Sequence, residues 1–179
     1  MVNAMRRNNR GFTLLELVIS LLVIVILYGV LSVYLGRIAE SAERAAVQGM
    51  LGQLQAQINI RMTKFYIEGR PEKASALLLE NPFDWIPSQA KLYAGEINKN
   101  VNSTMLEKGF WYFDSDANEL IYKTRRNTYL KVGEGDGSEL RFVLKLNHAM
   151  ADNPANGANY NVSVAPLWPY TWKIKASSK

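Results

Sequence analysis

Cysteine is absent from the 179-residue chain, and histidine occurs only once, at position 148. Without cysteine the protein can form neither a disulfide nor a thiolate metal site, and a lone histidine leaves no Cys–His catalytic pair. A Ser–His–Asp triad would have to use His148, which lies at the polar end of a strand-like segment. The sequence therefore predicts a protein that is not an enzyme and that uses no cofactor and no metal.

Charge is almost missing from one long stretch near the N-terminus. Between Phe12 and Leu35 the only charged residue is Glu16, and a leader with three arginines and no acids precedes the stretch. At roughly 1.5 Å per residue, about 24 residues make about 36 Å of helix, enough to cross a hydrocarbon core of about 30 Å. The arginine flank predicts a cytoplasmic N-terminus, with everything after Arg37 on the far side.

Glu16 is the residue that an inert membrane span would not contain. A carboxylate at the centre of a span costs on the order of 2–3 kcal/mol, and less near the end of the span, where Glu16 lies. An acid inside a span is by default a functional residue that needs a partner.

Residues 10–17, RGFTLLEL, resemble the cleavage and methylation motif of type IV prepilins and of the pseudopilins of type II secretion systems. The resemblance implies that a prepilin peptidase cuts the Gly11–Phe12 bond and methylates Phe12. It also implies that Glu16 pairs with the amino terminus of a neighbouring subunit, and that this subunit lies below another one, because the family's tip member often lacks the acid. Three alternatives stay open: a secretory signal cut near Ala42, an ordinary anchor, and a segment buried in a soluble core.

The resemblance further implies three segments: a prepilin leader (1–11), a transmembrane and assembly helix (12–36) and a periplasmic pilin-like head (37–179). The implied partners are the prepilin peptidase, other pilin or pseudopilin subunits and an inner-membrane assembly platform. The protein would be single-pass in the bacterial inner membrane until it joins a periplasmic or cell-surface filament. Many relatives have a helix-breaking proline near the position of Val33, and many major pilins close a C-terminal loop with a disulfide. The missing disulfide favours a minor pilin or a pseudopilin.

Beyond Arg37 the helical pattern continues but becomes amphipathic. Apolar residues recur three or four positions apart at Val47, Leu51, Leu54, Ile58, Met62 and Phe65. We predict one helix from about Phe12 to Tyr66, ended by Gly69-Arg70-Pro71, with this stripe packed on a globular head. A short helix is expected over residues 71–79.

The segment from Pro82 to about Lys108 is long for a structureless connection, so we expect it to pack against the rest of the head or to have a functional role. Trp85 and Tyr93 are candidate surface contacts there, with a small core of the loop's own as the alternative. Two calcium alternatives arise later in the chain, at residues 114–118 and in the glycine-rich loop with Glu134 and Asp136, but a hairpin turn and a flexible turn are favoured.

The remainder of the head is strand-like. Residues 109–113 and 119–124 flank turn residues and predict a hairpin, and residues 140–147 alternate as a half-buried strand does. Further strands are marked by residues 162–164 and 170–175. We therefore predict an α+β protein, in which the second half of the long helix packs on an antiparallel sheet of about four strands. The pilin fold that the motif implies has the same arrangement.

A basic cluster raises the question of nucleic-acid binding. Lys123, Arg125, Arg126 and Lys131 lie near two tyrosines, a combination that would suit DNA, although an outward strand edge defended by charge explains the same residues more simply and is favoured. The net charge of +5 owes much to the leader, whose loss lowers 21 basic residues to 18 against 16 acidic ones, about +2. The predicted function is a structural minor pilin or pseudopilin, with a DNA-binding minor pilin or a non-polymerising anchored binding domain as alternatives.

Overall fold

The computed structural model of the protein describes residues 12–86, 92–98, 101, 103–135, 137–149 and 159–174. The chain divides into two compact units, the first ending at Ala39 and the second beginning at Glu40. The predicted leader with Gly11, the loop residue Asp136 and the side chain of His148 lie outside the described residues.

Helix α1 runs without interruption from Leu14 to Ile67, which confirms the prediction of one long helix. The sequence has no proline before position 71, and the helix continues without interruption through Val33. Gly69 ends it with a φ of 68°. The N–H groups of Gly69 and Arg70 bind the carbonyls of residues 66 and 65, at 3.1 and 2.9 Å, which is the hydrogen-bond pattern of a Schellman C-cap.

A five-stranded sheet follows the helix, so the predicted α+β class is confirmed. The strands are β1 (Tyr93–Ile97), β2 (Trp111–Asp114), β3 (Glu119–Lys123), β4 (Leu130–Val132), β5 (Glu139–Ala149), β6 (Asn159–Pro166) and β7 (Tyr170–Trp172). The main sheet has the order β1-β2-β3-β5-β6, and β4 pairs with β7 in a separate two-stranded sheet. Among the described residues between α1 and β2 lie the 3-10 helices Pro71–Leu79, Pro82–Trp85 and Ser103–Met105.

The sheet is mixed rather than purely antiparallel, because β1 pairs in parallel with β2. This strand lies inside the segment predicted as a loop. A parallel neighbour needs a crossover connection, and the chain provides it between Ile97 and Trp111. Gly95, with a φ of 126°, stands at an irregularity in the pairing of β1 with β2.

The predicted hairpin between β2 and β3 is confirmed. Asp114 Oδ1 accepts hydrogen bonds from the backbone N–H groups of Asp116 and Ala117, at 3.0 and 3.1 Å. Asn118 then takes the left-handed conformation, with a φ of 55°. The acid at the start of the turn thus serves its own backbone, as Asx turns do.

The core of the head forms where the apolar stripe of α1 meets the sheet. Leu54 and Ile58 are fully buried, and Leu54 belongs to the same cluster as Trp111 and Phe142. Ile58 packs in a second cluster with residues of the 3-10 helices and Val162 of β6. On the opposite face of the sheet, a third cluster contains Leu106, Tyr112 and Ile121.

Candidate functional site on the N-terminal helix

The N-terminal end of α1 is fixed by a side-chain cap. Thr13 Oγ1 accepts a hydrogen bond from the backbone N–H of Glu16 at 3.3 Å, and the helix begins at Leu14. A threonine three residues before a glutamate has the spacing of a capping box, and an acid in the first turn is favoured by the positive end of the helix dipole. Thr13 and Glu16 therefore have a local structural reason for their spacing, which the sequence prediction did not use.

The carboxylate of Glu16 is exposed on the surface of this helix. The backbone carbonyl of Glu16 accepts a hydrogen bond from Ser20 Oγ at 2.7 Å. Within the described part of the chain, no hydrogen bond or ion pair reaches the carboxylate itself. A carboxylate in apolar surroundings is costly unless a cation or a donor reaches it. The arrangement can therefore accept a cationic group from outside the chain.

The large apolar side chains around Glu16 all face outward. From Phe12 to Ile38 they are 44% to 82% exposed. The helix is long and apolar enough to cross a membrane, and none of its most apolar window is buried inside the protein. So much apolar surface requires lipid or other apolar helices to cover it. The first unit is thus consistent with membrane anchoring.

Glu40 holds the C-terminal part of the head onto α1. It is only 1% exposed, and its Oε1 accepts hydrogen bonds from the backbone N–H of Tyr129 at 2.8 Å and from the indole N–H of Trp172 at 2.9 Å. The sequence prediction missed this residue. The signal was present, because Glu40 precedes Val47 by two helical turns and so continues the buried stripe with an acid.

Glu43, one turn later, binds the loop that follows β3. Its two carboxylate oxygens accept the backbone N–H groups of Arg125 and Arg126, at 2.6 and 3.1 Å, and the hydroxyl of Tyr122 at 3.0 Å. Burial of the phenol, and then the negative charge of Glu43, raise the pKa of Tyr122 well above its ordinary value. The phenol therefore stays neutral and remains a donor to the carboxylate.

The structure does not assemble the predicted basic cluster on one surface. The side chains of Arg125 and Arg126 are exposed, but Lys123 is 5% exposed and its Nζ lies 3.2 Å from Glu139 Oε1. Glu139 Oε2 in turn lies 3.1 Å from the guanidinium of Arg141. Lys123 does not present the suggested surface contact, because its charge is buried and neutralised between β3 and β5.

Trp85 likewise does not present a surface contact. It is 6% exposed, its indole N–H donates to Glu80 Oε2 at 3.0 Å, and the guanidinium of Arg61 lies 4.7 Å from its ring centre. Tyr93 is half-buried and stacks on Phe83 at 4.4 Å between ring centres. Trp85 and Tyr93 thus pack into the core clusters that α1 and the sheet form, rather than into a small core of the loop's own.

Comparison with protein families gives a match to the prokaryotic N-terminal methylation motif at residues 6–31. The match includes Gly11, Phe12 and Glu16 and most of the exposed apolar segment of α1. Neither the curated proteins nor the solved structures with which the chain was compared gave a match. This motif, carried by a long apolar helix ahead of an α+β head, supports the resemblance to the type IV pilin and pseudopilin family.

Proposed function

We propose that the protein is a minor pilin or pseudopilin, a structural subunit of a type IV pilus or type II secretion filament that performs no catalysis. The observation that carries the proposal is Glu16. Its carboxylate lies on an exposed apolar helix within the methylation motif, and no group of the described chain pairs with it.

The proposed sequence of events begins with processing by a prepilin peptidase. Cleavage of the Gly11–Phe12 bond gives Phe12 a new amine, which the same enzyme methylates. In the filament, the carboxylate of Glu16 pairs with the amine of a neighbouring subunit. Opposite charges attract more strongly in an apolar helix bundle than in water, so the pair both neutralises a buried charge and fixes the register of neighbouring helices.

The proposed membrane topology follows from the distribution of charge in the sequence. The arginine-rich leader favours the cytoplasmic side of the inner membrane, which leaves the head in the periplasm. The partners are then the peptidase, other pilin or pseudopilin subunits and an inner-membrane assembly platform. Because Glu16 is retained, the subunit has a neighbour above it. The DNA-binding alternative loses support, because Lys123 is buried in an ion pair.

Replacement of Glu16 by alanine tests the pairing role. Glu16→Ala in the full chain, expressed in the native host, should insert into the membrane as the wild type does. We expect its recovery in cross-linked filament fractions to fall by at least about tenfold, which corresponds to a loss of about 1.4 kcal/mol.

The matched control is Glu72→Ala, which removes an exposed acid from the 3-10 helix Pro71–Leu79. It should leave incorporation unchanged. Equal incorporation of Glu16→Ala and wild type would contradict the proposed pairing.

A further inference from the structure

Strand β6 ends the five-stranded sheet, so one of its edges has no strand partner in the part of the chain that the structure describes. At the end of its ladder with β5, the N–H of Leu167 donates to the carbonyl of Arg141 at 2.9 Å. Because backbone groups alternate in direction along a strand, those of Tyr160, Val162 and Val164 point away from β5. A row of outward N–H and C=O groups is a template for pairing with another chain.

Two side chains of α1 occupy this edge. Gln55 Nε2 donates to the carbonyl of Val162 at 3.1 Å, and Gln55 Oε1 accepts the N–H of Val164 at 3.0 Å. The hydroxyl of Tyr66 donates to the carbonyl of Tyr160 and accepts the N–H of the same residue, both at 2.8 Å. An amide and a phenol are each both donor and acceptor, so each side chain binds one outward C=O and one outward N–H.

The placement of these contacts follows the outward positions of β6. Gln55 and Tyr66 are about three helical turns apart and lie on the same face of α1. The next outward position along β6 is Pro166, which has no N–H to offer. The contacts therefore reach four outward backbone groups, at Tyr160, Val162 and Val164, and Pro166 follows them at the end of the strand.

The strand itself carries nothing else that would deter pairing. Its sequence, NYNVSVAP, contains no charged residue, whereas exposed edges are often protected by lysine or another charge. An uncharged eight-residue strand meets no electrostatic penalty when it pairs antiparallel with an identical strand, because no like charges are brought opposite each other.

We propose that Gln55 and Tyr66 guard the β6 edge against strand addition by a second copy of this chain. This protection matters most where copies of the chain are concentrated, as on a membrane. There, pairing between the β6 edges of two heads would otherwise compete with the contacts that the chains make through α1. The strand that Gln55 and Tyr66 keep from pairing at this edge is β6 of another head.

The test uses the full-length protein in detergent with Asn161→Cys, which gives the cysteine-free chain one exposed thiol on β6. In this background Gln55→Met and Tyr66→Phe are combined, which removes the polar groups at nearly constant side-chain volume. The control combines Gln57→Met with Tyr170→Phe, the same changes away from the edge. Backbone hydrogen exchange and cross-linking by a short bifunctional maleimide are measured.

In the variant that combines Gln55→Met and Tyr66→Phe, we expect the backbone amides of Tyr160 and Val164 to exchange at least about tenfold faster than in the parent protein at low concentration. Cross-linked dimers through position 161 should increase at least about tenfold at high concentration, while the control pair changes neither quantity. Faster exchange without cross-linking would overturn the proposal, since the contacts would then only hold the helix on the sheet. Unchanged exchange would overturn it as well.

Folding is checked by tryptophan fluorescence. Should the double variant fail to fold, Gln55→Met and Tyr66→Phe are tested singly, since each opens one half of the edge. Either single variant is then expected to cross-link more than the parent Asn161→Cys protein, and absence of cross-linking in both would overturn the proposal.

Discussion

Glu16 and Glu40 are glutamates of the same helix, but their surroundings differ completely. Glu40 is buried and receives two hydrogen bonds from its own chain, whereas the carboxylate of Glu16 is exposed and has no partner in the described residues. A buried acid with donors in its own chain stabilises the fold, and an acid on an apolar surface without them stays costly until a partner arrives. The same residue type therefore serves the stability of the head at position 40 and, as proposed, assembly at position 16.

Tyr122 contributes to the loss of stability of the head at alkaline pH. Its pKa is raised by burial and by Glu43 above the ordinary value of 10.0. The unfolded chain therefore releases this proton near pH 10, before the folded chain does. The stabilisation from the neutral phenol is complete below pH 10 and is lost as the pH rises from there toward the folded pKa. Tyr122→Phe should remove up to about 1.4 kcal/mol per pH unit from the alkaline loss of stability.

The measurement is denaturant unfolding of the full chain in detergent at several pH values on both sides of pH 10, followed by tryptophan fluorescence. Tyr28→Phe, on the exposed apolar segment, serves as the control and should keep the slope of the wild type. Parallel slopes for Tyr122→Phe and wild type would contradict the assigned shift.

At the level of elements, α1 docks onto the rest of the head by two different means. Its apolar stripe, with Leu54 and Ile58 at the centre, packs on the sheet and on the 3-10 helices. Its polar side chains then bind backbone groups: Glu40 and Glu43 hold the loop after β3, and Gln55 binds the edge of β6. Burial supplies most of the attraction, and the hydrogen bonds determine which segment lies at which turn of the helix.

Removal of Glu40 tests the polar part of this docking. Glu40→Ala is expected to destabilise the head by about 2–4 kcal/mol, because it removes the carboxylate that accepts the backbone N–H of Tyr129 and the buried indole N–H of Trp172. Glu72→Ala, at an exposed position, should change stability by less than about 0.5 kcal/mol. Denaturant unfolding followed by tryptophan fluorescence compares the two, and similar losses would show that Glu40 does not hold the head together.

For the whole molecule, features encoded locally were predictable and features that depend on distant pairing were not. The helix from about residue 12 to 66, its buried stripe and the β2–β3 hairpin follow from periodicity and turn residues, and the structure has all three. Strand β1 was missed, because the sequence YAGEI contains glycine and alanine and too little alternation to indicate a strand.

Contacts between residues far apart in the sequence also determine whether individual side chains are buried. The burial of Lys123 depends on the register that places it opposite Glu139 of β5, and the contact of Glu40 with Trp172 joins positions 132 residues apart. No local pattern encodes either pairing. The N-terminal motif, in contrast, lies within a few consecutive residues, which is why the family could be inferred from sequence before any fold was known.

The proposed processing of this N-terminus by a prepilin peptidase can be tested by the mass of the mature protein. Intact mass and N-terminal peptide mapping would be measured on protein purified from membranes, with and without a co-expressed prepilin peptidase. We expect a peptidase-dependent loss of Met1–Gly11 and one methyl group on Phe12. An uncut chain, or a cut near Ala42, would contradict it and indicate a static anchor or a secretory signal.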